Sequence, residues 1–446
     1  MNNLSRLKQT ALITGDIITL YAALILTLWL RYGNLFYAEL INNHIQPFTI
    51  IFGLWIVVSY IAGLYDLKFL KNGLEFEQVF WNAMVFNIAL TAIFFYLIPY
   101  FGITPKTNLV IFFLIFGGVN YLWRQIYNFA IGKTGAVNRI LMVGSNKTAQ
   151  EIMDHIQNNP QLGYQIKYWM QEGLKDKEFD HFAQIILANN INTVVIPAHL
   201  KKDSQAAKLI YKTIVLGIEV IELSRLNEII FHKVPLAELE EVWFLENLVN
   251  KHKIYELLSG PLEIMCALLL GIILSPLIVL IAILIKFTST GPIIFKQTRV
   301  GKHEKEFTIY KFRTMPVDAE KNGPQWANYQ KDNRATLVGK ILRRSHLDEL
   351  PQLINILKGE LSFVGPRPER PEFVIKLRKE LPYYDLRHLT KPGITGWAQI
   401  NYRYAASAED AYQKLQYDIY YIKNNSPLLD FLIILRTIKF LITNHT

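Results

Sequence analysis

Cysteine is nearly absent from this sequence of 446 residues: the single one, Cys266, lies within an apolar run. A lone cysteine excludes a disulfide framework within the chain, so the soluble parts are compatible with a reducing compartment. Charged residues are scarce at 19%, whereas hydrophobic residues make up 51% and the mean hydropathy is +0.18. This composition indicates a membrane protein with sizeable soluble parts, and the length predicts two or three domains.

Excess positive charge is missing from the first two thirds of the chain. Residues 1–285 contain 21 Lys or Arg and 21 Asp or Glu, whereas residues 286–446 contain 26 and 16, which is the whole net charge of +10. Such a surface attracts phosphate esters, anionic lipid headgroups or nucleic acid, although a solvated basic face is the plain alternative. Because no nucleic-acid-binding module is recognisable, we expect no nucleic-acid partner.

Four long apolar stretches come first, at residues 10–31, 47–65, 79–100 and 106–130. Each is close to the ~20 residues that a helix needs to cross the hydrocarbon of a bilayer. Lys and Arg flank the outer ends of this set, so the positive-inside bias predicts a four-helix transmembrane bundle over residues 1–132 with both ends in the cytoplasm. Asp16 and Arg124 lie within or near these helices, where a functional role and a structural contact are equally good explanations.

Residues 133–225 alternate between short apolar strands and a helical pattern. Strands are predicted at 139–145, 192–197 and 218–221, and a helix at 148–158, which favours a parallel, Rossmann-like α/β domain. A dinucleotide-binding turn would need Gly-x-Gly-x-x-Gly, but only the first glycine, Gly144, is present. We therefore expect a degenerate domain with a structural or regulatory role. Residues 226–258 follow as an amphipathic linker that suits either a membrane surface or packing against a neighbour.

The last predicted domain, residues 259–446, begins with a fifth apolar run at 262–285. Ser275 and Pro276 fall in its middle, where proline removes a backbone donor and kinks or breaks the helix. A helix broken there would enter one leaflet and return; an ordinary kinked transmembrane helix is the alternative. A crossing would export the basic domain, away from soluble nucleotides.

Asp348 and Glu349 form the most informative pair of the basic region. Residues 336–346 suit a helix, and Pro351 suits the first turn of the next one, so the pattern predicts a break near Asp348. A helix start favours anions, and Arg343 and Arg344 lie just upstream. A carboxylate pair among arginines suits Mg²⁺ together with a phosphate, although a capped, salt-bridged helix start would also explain it. The segment Pro366-Arg367-Pro368 adds a stiff turn that presents a guanidinium fork for phosphate oxygens.

These blocks resemble the polyprenyl-phosphate hexose-1-phosphate transferases, the bacterial sugar transferases that start exopolysaccharide, capsule and O-antigen assembly. The matching segments are Ser275-Pro276, Lys311-Phe312-Arg313, Leu347 to Leu353, Gly365 to Pro368, and Pro392 to Gln399. Long members of the family also carry an N-terminal four-helix bundle and an α/β domain. The resemblance implies a re-entrant membrane helix and a mainly helical phosphoglycosyl transferase domain on the cytoplasmic face of the bacterial inner membrane.

The resemblance also implies a mechanism. Asp348 would attack the β-phosphate of a UDP-sugar, release UMP and form a phosphosugar-aspartyl intermediate, which undecaprenyl phosphate then resolves. Glu349, with Asp348, would be associated with Mg²⁺. Phosphate binding is assigned to residues that share a basic side chain near this pair: Lys311, Arg313, Arg343, Arg344 and Arg367. Asp418, in the C-terminal pattern, would support the site from behind or form a structural salt bridge.

Several points stay open at this stage. Residues 400–404 differ from galactose-type members, which leaves glucose or galactose, or another hexose, undecided. A homodimer through the N-terminal half is a further expectation. The rival functions are a membrane-bound nucleotide-sugar dehydratase, which would need an intact glycine motif and a Tyr-x-x-x-Lys pair, and a non-catalytic assembly scaffold. For the tail, residues 428–441 predict an amphipathic helix on the membrane surface.

Overall fold

The computed structural model describes residues 3–33, 38–65, 74–97, 106–133, 138–171, 179–201, 211, 217–248, 253–288, 291–316, 335–402 and 407–443. They form two compact units, Met1–Ile230 and Phe231–Thr446.

The first unit begins with four long helices, α1 (Asn3–Tyr32), α2 (Ala38–Ile61), α3 (Leu74–Leu97) and α4 (Lys106–Lys133). Within them, Gln9–Tyr32, His44–Ile61, Phe76–Tyr96 and Asn108–Ala130 are long and apolar enough to cross a membrane. Their shared core is aromatic, with Phe48, Phe52 and Phe112 packed at ring separations of 5.6 to 5.9 Å. The predicted apolar stretches are therefore helices of membrane-spanning length and composition.

Asp16 and Arg124 form a buried ion pair inside this bundle. Asp16 also accepts hydrogen bonds from the Tyr65 hydroxyl and from Asn120 Nδ2, both at 2.8 Å. Arg124 donates to the Leu64 carbonyl at 2.9 Å. Each charge has several partners, as a structural contact in a low-dielectric interior requires.

The α/β part of the first unit is a four-stranded parallel sheet in the order β2-β1-β3-β4. Its elements are β1 (Asn138–Val143), α5 (Lys147–Asn158), β2 (Tyr164–Met170), α6 (Phe179–Ala188), β3 (Thr193–Ile196), β4 (Glu219–Glu222) and α7 (Leu223–Phe231). The three predicted strands are present. The sequence did not predict strand β2. It is an edge strand, and its exposed polar residues interrupt the apolar run that is expected of a parallel strand.

The turn after β1 serves the fold. Gly144 adopts a φ of +87°, and a Cβ there would lie 2.9 Å from Pro197. Its carbonyl accepts a hydrogen bond from Trp169 Nε1 at 2.8 Å. Asn146 caps α5 by accepting from the backbone N–H of Ala149 at 2.7 Å. The backbone conformation of this turn thus explains why the degenerate motif keeps its single glycine.

The second unit is mainly helical and holds two small sheets. Its elements are α8 (Glu241–Leu248), α9 (Lys253–Thr288), β5 (Ile294–Val300), β6 (Glu306–Phe312), α10 (Leu337–Ser345), α11 (Leu353–Leu357), β7 (Ser362–Val364), α12 (Pro371–Glu380), β8 (Gly393–Thr395), α13 (Trp397–Asn401), α14 (Ala408–Asn424) and α15 (Pro427–Thr443). Strands β5 and β6 pair antiparallel, and β7 and β8 pair parallel. Its described 3₁₀ segments include Leu236–Glu238, Lys302–Glu304, Leu347–Gln352 and Tyr384–Leu389.

The segment predicted as a linker contributes to the core of this unit. Val234, Leu236, Leu239 and Phe244 are buried in the same cluster as Trp397. The sequence does not show this packing because partners such as Tyr383, Trp397 and Gln416 lie more than 130 residues further along the chain. Of the two alternatives for this segment, residues 231–248 show packing against the rest of the unit.

Helix α9 continues through Pro276 rather than stopping there. Pro276 has no N–H to donate to the carbonyl of Ile272, four residues earlier. Ser275 Oγ donates to that carbonyl instead, at 2.7 Å. The Ser-Pro pair thus removes one backbone donor and replaces it with a hydroxyl. The segment Ser259–Thr288 is long and apolar enough to cross a membrane.

Helix α15 is apolar on two faces. Ile433 is fully buried in the core. Leu428, Phe431, Ile434 and Ile438 are exposed at helical spacing. This pattern supports the predicted surface-lying helix, because one face packs inward while the other remains available to lipid.

Candidate active site

A change of helix places Asp348 and Glu349 on a short, separate segment. Helix α10 ends at Ser345, His346 adopts a left-handed conformation (φ 54°), and the 3₁₀ segment Leu347–Gln352 begins at once. The predicted break near Asp348 is present. Pro351 lies inside the 3₁₀ segment instead of opening a new α-helix, since α11 begins only at Leu353.

Both carboxylates of this pair are buried, Asp348 at 8% and Glu349 at 7% exposure. Glu349 Oε1 accepts hydrogen bonds from Lys311 Nζ and from Arg367 Nη2, each at 2.8 Å. Burial alone would raise the pKa of Glu349, but the Arg367 and Lys311 cations outweigh it and hold the pKa well below its ordinary value. Glu349 is therefore a fixed anion that holds two cations in place.

Asp348 has a different environment. In the described part of the chain its carboxylate makes no hydrogen bond or ion pair. Burial, followed by the neighbouring Glu349 charge, raises the pKa of Asp348, and the nearby cations only partly oppose this. A buried carboxylate with unengaged oxygens and raised basicity is suited to attack an electrophile or to bind a metal ion.

Lys311 reaches Glu349 from the antiparallel hairpin of β5 and β6. The hairpin is joined to the segment after the pair by Asn355, which is fully buried. Asn355 Nδ2 donates to the Thr308 carbonyl at 2.7 Å, and Asn355 Oδ1 accepts from the Tyr310 N–H at 3.2 Å. Asn355 was not singled out from the sequence, because an isolated asparagine in an apolar stripe carries no spacing signal. It fixes the distance between Lys311 and the carboxylates.

Arg367 follows the turn after β7 and is held from behind by Arg387. Arg387 Nη2 donates to the Arg367 carbonyl at 2.9 Å, and Nη1 donates to the Tyr384 hydroxyl at 2.5 Å. Arg387 Nη2 also lies 3.1 Å from Asp418 Oδ2. Burial raises the pKa of Asp418 to about 6, against the opposing effect of Arg387. Asp418 therefore forms the salt bridge that the sequence analysis allowed, and its partner Arg387 contacts the carbonyl of Arg367.

The remaining predicted phosphate ligands are three arginines, two on α10 and one just after β6. Arg343 Nε donates to Thr314 Oγ1 at 2.9 Å. Arg344 is exposed on α10, and Arg313 is half-buried just after β6. Among the described contacts of the carboxylate pair, the cations are Lys311 and Arg367 and not these three arginines.

The oxygens of this site fit a divalent cation. Both Asp348 oxygens and Glu349 Oε2 have no hydrogen-bond partner among the described residues, whereas Glu349 Oε1 is occupied by two cations. Mg²⁺ prefers oxygen ligands and commonly binds through one or two carboxylates together with substrate phosphates. The donor set is therefore compatible with the predicted Mg²⁺.

Comparison with known proteins points to one family. The profile described as "Bacterial sugar transferase" matches residues 254–444. An Aeromonas hydrophila UDP-N-acetylgalactosamine-undecaprenyl-phosphate N-acetylgalactosaminephosphotransferase is 42% identical over 226 residues, which cover 51% of this chain and 53% of that protein. The chain thus spans about half the length of that relative.

Two further relatives extend the comparison. A Caulobacter vibrioides UDP-glucose:undecaprenyl-phosphate glucose-1-phosphate transferase is 40% identical over 191 residues, covering 42% of this chain and 71% of that protein. A Klebsiella pneumoniae protein with the same description is 29% identical over 410 residues, covering 86% of each. Because the second unit holds less than half of the chain, a match over 86% of it must extend into the first unit as well, beyond the unit that carries Asp348.

Proposed function

This chain belongs to the bacterial sugar transferase family, and we propose that it transfers a hexose 1-phosphate from a UDP-sugar to undecaprenyl phosphate. The observation that carries the proposal is the asymmetry of the buried pair. Glu349 is fixed by Lys311 and Arg367, while Asp348 beside it is unengaged and more basic than an ordinary aspartate. In such a pair, one carboxylate holds the neighbouring cations in place and the other can attack the substrate.

In the first step an Asp348 oxygen attacks the β-phosphorus of the UDP-sugar. A carboxylate–phosphorus bond forms, the bond from that phosphorus to the bridging oxygen breaks, and UMP leaves with that oxygen. Arg367 and Lys311 face the region where negative charge accumulates, which lowers the cost of bringing an anion to a diphosphate. No proton transfer is needed, because an ionised carboxylate is the nucleophile.

In the second step a phosphate oxygen of undecaprenyl phosphate attacks the phosphorus of the aspartyl intermediate. The carboxylate–phosphorus bond breaks, Asp348 is regenerated, and the product is an undecaprenyl-diphosphate-sugar. Mg²⁺ bound by Asp348 and Glu349 oxygens would neutralise phosphate charge and orient the donor. Two successive steps at one carboxylate allow a soluble donor and a lipid acceptor to use the same site in turn.

The packing of α9 supports a re-entrant arrangement on the cytoplasmic face. Glu263 accepts a hydrogen bond from Ser362 at 2.5 Å, and Ile285 is buried against Phe312 and Leu342. A straight helix between positions 263 and 285 would be about 33 Å long, close to the ~30 Å hydrocarbon thickness. A crossing helix would put these residues on opposite sides of the bilayer, yet both pack against one basic unit. A helix that bends at Pro276 satisfies both contacts from one side.

UMP release tests the reaction. Membranes containing the protein, undecaprenyl phosphate and Mg²⁺ are incubated with UDP-glucose, UDP-galactose and UDP-N-acetylgalactosamine in turn. The relatives include transferases named for glucose and for N-acetylgalactosamine, so both donor types belong in the panel. Release with one donor is expected, and no release with any of them, from protein shown to be folded, would refute the proposed function.

The nucleophile has a separate test. Without the lipid acceptor, the wild type should release one UMP per active site and retain the labelled sugar phosphate on the protein. Asp348→Asn should do neither, while Glu372→Gln, at an exposed carboxylate of α12, should behave as the wild type. A labelled adduct that persists in Asp348→Asn would exclude Asp348 as the nucleophile.

Labelling tests the topology. In a Cys266→Ser background, Lys305→Cys should react with an impermeant maleimide in inverted vesicles and not in spheroplasts. A cysteine in the predicted external loop between α1 and α2 gives the opposite control. Labelling of position 305 in spheroplasts would exclude the re-entrant helix.

A further inference from the structure

A second group of ligating side chains lies apart from the carboxylate pair. Glu304 ends the 3₁₀ segment Lys302–Glu304, while Asp385 and His388 lie on the segment Tyr384–Leu389. One ligand atom of each lies within 4.8 Å of the ligand atoms of the other two. The loop between β5 and β6 and a segment about 80 residues later thus meet through side chains that bind metals.

His388 is the unusual member of the group. It is 7% exposed, and neither ring nitrogen has a hydrogen-bond partner among the described residues. Nδ1 in particular is buried without a partner. Buried polar atoms nearly always have partners, and a neutral imidazole with none is a ready metal ligand.

The two carboxylates are already held in position. Arg378 Nη2 lies 2.8 Å from Glu304 Oε1, and Arg378 Nε lies 2.6 Å from Asp385 Oδ1. Each carboxylate retains its second oxygen. The guanidinium therefore keeps two acidic groups together beside an unpartnered imidazole, and it balances their charge when no other cation is present.

We propose that Glu304, Asp385 and His388 form a site for a divalent transition-metal ion of the Zn²⁺ type, separate from the pair Asp348 and Glu349. One imidazole nitrogen and two carboxylate oxygens, with solvent in the remaining position, match the ligand preferences of Zn²⁺. The same set suits Mg²⁺ poorly, because Mg²⁺ prefers oxygen ligands alone. Two sites with different donor chemistry can therefore be distinguished by the metal used.

The position of this site gives it a route to the chemistry. His388 is the neighbour in sequence of Arg387, and both lie on the same six-residue segment. Arg387 holds the carbonyl of Arg367, and Arg367 holds Glu349. A metal that ties Glu304 to this segment would restrict its motion. Zn²⁺ binding is therefore expected to raise the thermal unfolding midpoint of the full-length protein.

The test is a Zn²⁺ titration of the purified full-length protein in detergent, in excess Mg²⁺, followed by calorimetry and by competition with a chelating dye. The wild type should bind one Zn²⁺ that excess Mg²⁺ does not displace. Glu304→Gln and His388→Gln should each weaken binding by at least about tenfold, since even supporting residues of metal sites commonly contribute that much. Both should abolish the Zn²⁺-dependent rise in the unfolding midpoint.

Matched controls lie beside Glu304. His303→Gln removes an exposed histidine next to Glu304, and Glu306→Gln removes an exposed carboxylate two residues away; both should bind as the wild type does. If His388→Gln folds poorly, Glu304→Gln still tests the site, because Glu304 is exposed and its replacement does not disturb the core. Unchanged binding in Glu304→Gln, or an equal loss in His303→Gln, would overturn the proposal.

Discussion

Lys311 Nζ lies 2.8 Å from Glu349 Oε1, the same oxygen that Arg367 Nη2 contacts at 2.8 Å. One buried carboxylate oxygen therefore holds two cations that come from different elements, strand β6 and the turn after β7. This arrangement keeps Glu349 ionised and leaves the Asp348 carboxylate unengaged. Lys311 and Arg367 contact Glu349 and do not contact Asp348.

Replacing Lys311 with Met should lower kcat/KM by about 10²-fold or more, the typical effect of losing a preorganised charge at a phosphoryl-transfer site. The pKa of Glu349 should rise, because one of the two cations that depress it is gone. Glu349 contributes stability above its unfolded pKa that is lost as pH falls through the folded value. The acid limb of both activity and stability should therefore move to higher pH.

A pH series of UMP release measures this change. The control is Lys296→Met on the neighbouring strand, where Lys296 is exposed and lies over the Tyr310 ring. If Lys311→Met and Lys296→Met gave the same pH profile, the proposed coupling between Lys311 and Glu349 would be wrong.

Local patterns sufficed to predict the helix break at Asp348, three of the four strands of the first sheet and the long apolar helices. Each of these depends on residues a few positions apart, such as the helical stretch before His346 and the proline at 351. The sequence predicted that Lys311 lies near the two acids but not that it pairs with Glu349, because the motif does not say which acid contacts the lysine.

Arg387 and Asn355 were missed for a different reason. Arg387 acts on a main-chain carbonyl 20 residues away, and Asn355 acts on main-chain groups of β6. Contacts of a side chain with the backbone leave no complementary residue type in the sequence, so no pairing pattern reveals them. The packing partners of residues 231–248 could not be identified for another reason, because they lie far along the chain.

Asp418 and His388 should oppose one another in the pH dependence of stability. The folded pKa of Asp418 is raised to about 6, so its contribution is present near pH 4 and lost as pH rises through about 6. The folded pKa of His388 is lowered to about 4, so its contribution is present above pH 6.5 and lost as pH falls towards 4.

Thermal unfolding midpoints between pH 4 and 6.5 separate the two groups. Asp418→Asn should become more stable with rising pH relative to the wild type, and His388→Asn should become less stable with rising pH. The slope is the readout, because either replacement also changes the absolute midpoint through lost packing. Parallel pH profiles for the two variants would contradict the assignment of these titrations.

Ser275 and Pro276 should be energetically coupled. Ser275→Ala leaves the Ile272 carbonyl without a donor in a segment where water is scarce, at a cost of about 1 kcal/mol. In a Pro276→Ala background the new backbone N–H at position 276 reaches that carbonyl, so the same Ser275→Ala change should cost about zero. A double-mutant cycle on thermal midpoints in detergent measures the difference. Equal effects of Ser275→Ala in both backgrounds would show that the hydroxyl does not replace the missing donor.

The ion pair of Asp16 and Arg124 can be tested for a structural or a functional role of these intramembrane charges. Asp16→Asn leaves the Arg124 guanidinium buried without its anion, and breaking a buried pair in this way costs about 3–5 kcal/mol. The thermal midpoint and the yield of folded protein should both fall. The combined change Asp16→Leu with Arg124→Met removes both charges and should recover part of the stability, since no charge is left buried alone, while Tyr65 and Asn120 lose their acceptor. UMP release per folded molecule should stay at the wild-type level in the double variant, because the pair lies in the first unit and the carboxylates of the proposed site in the second. A double variant that is stable but releases no UMP would instead assign these membrane charges a part in the reaction.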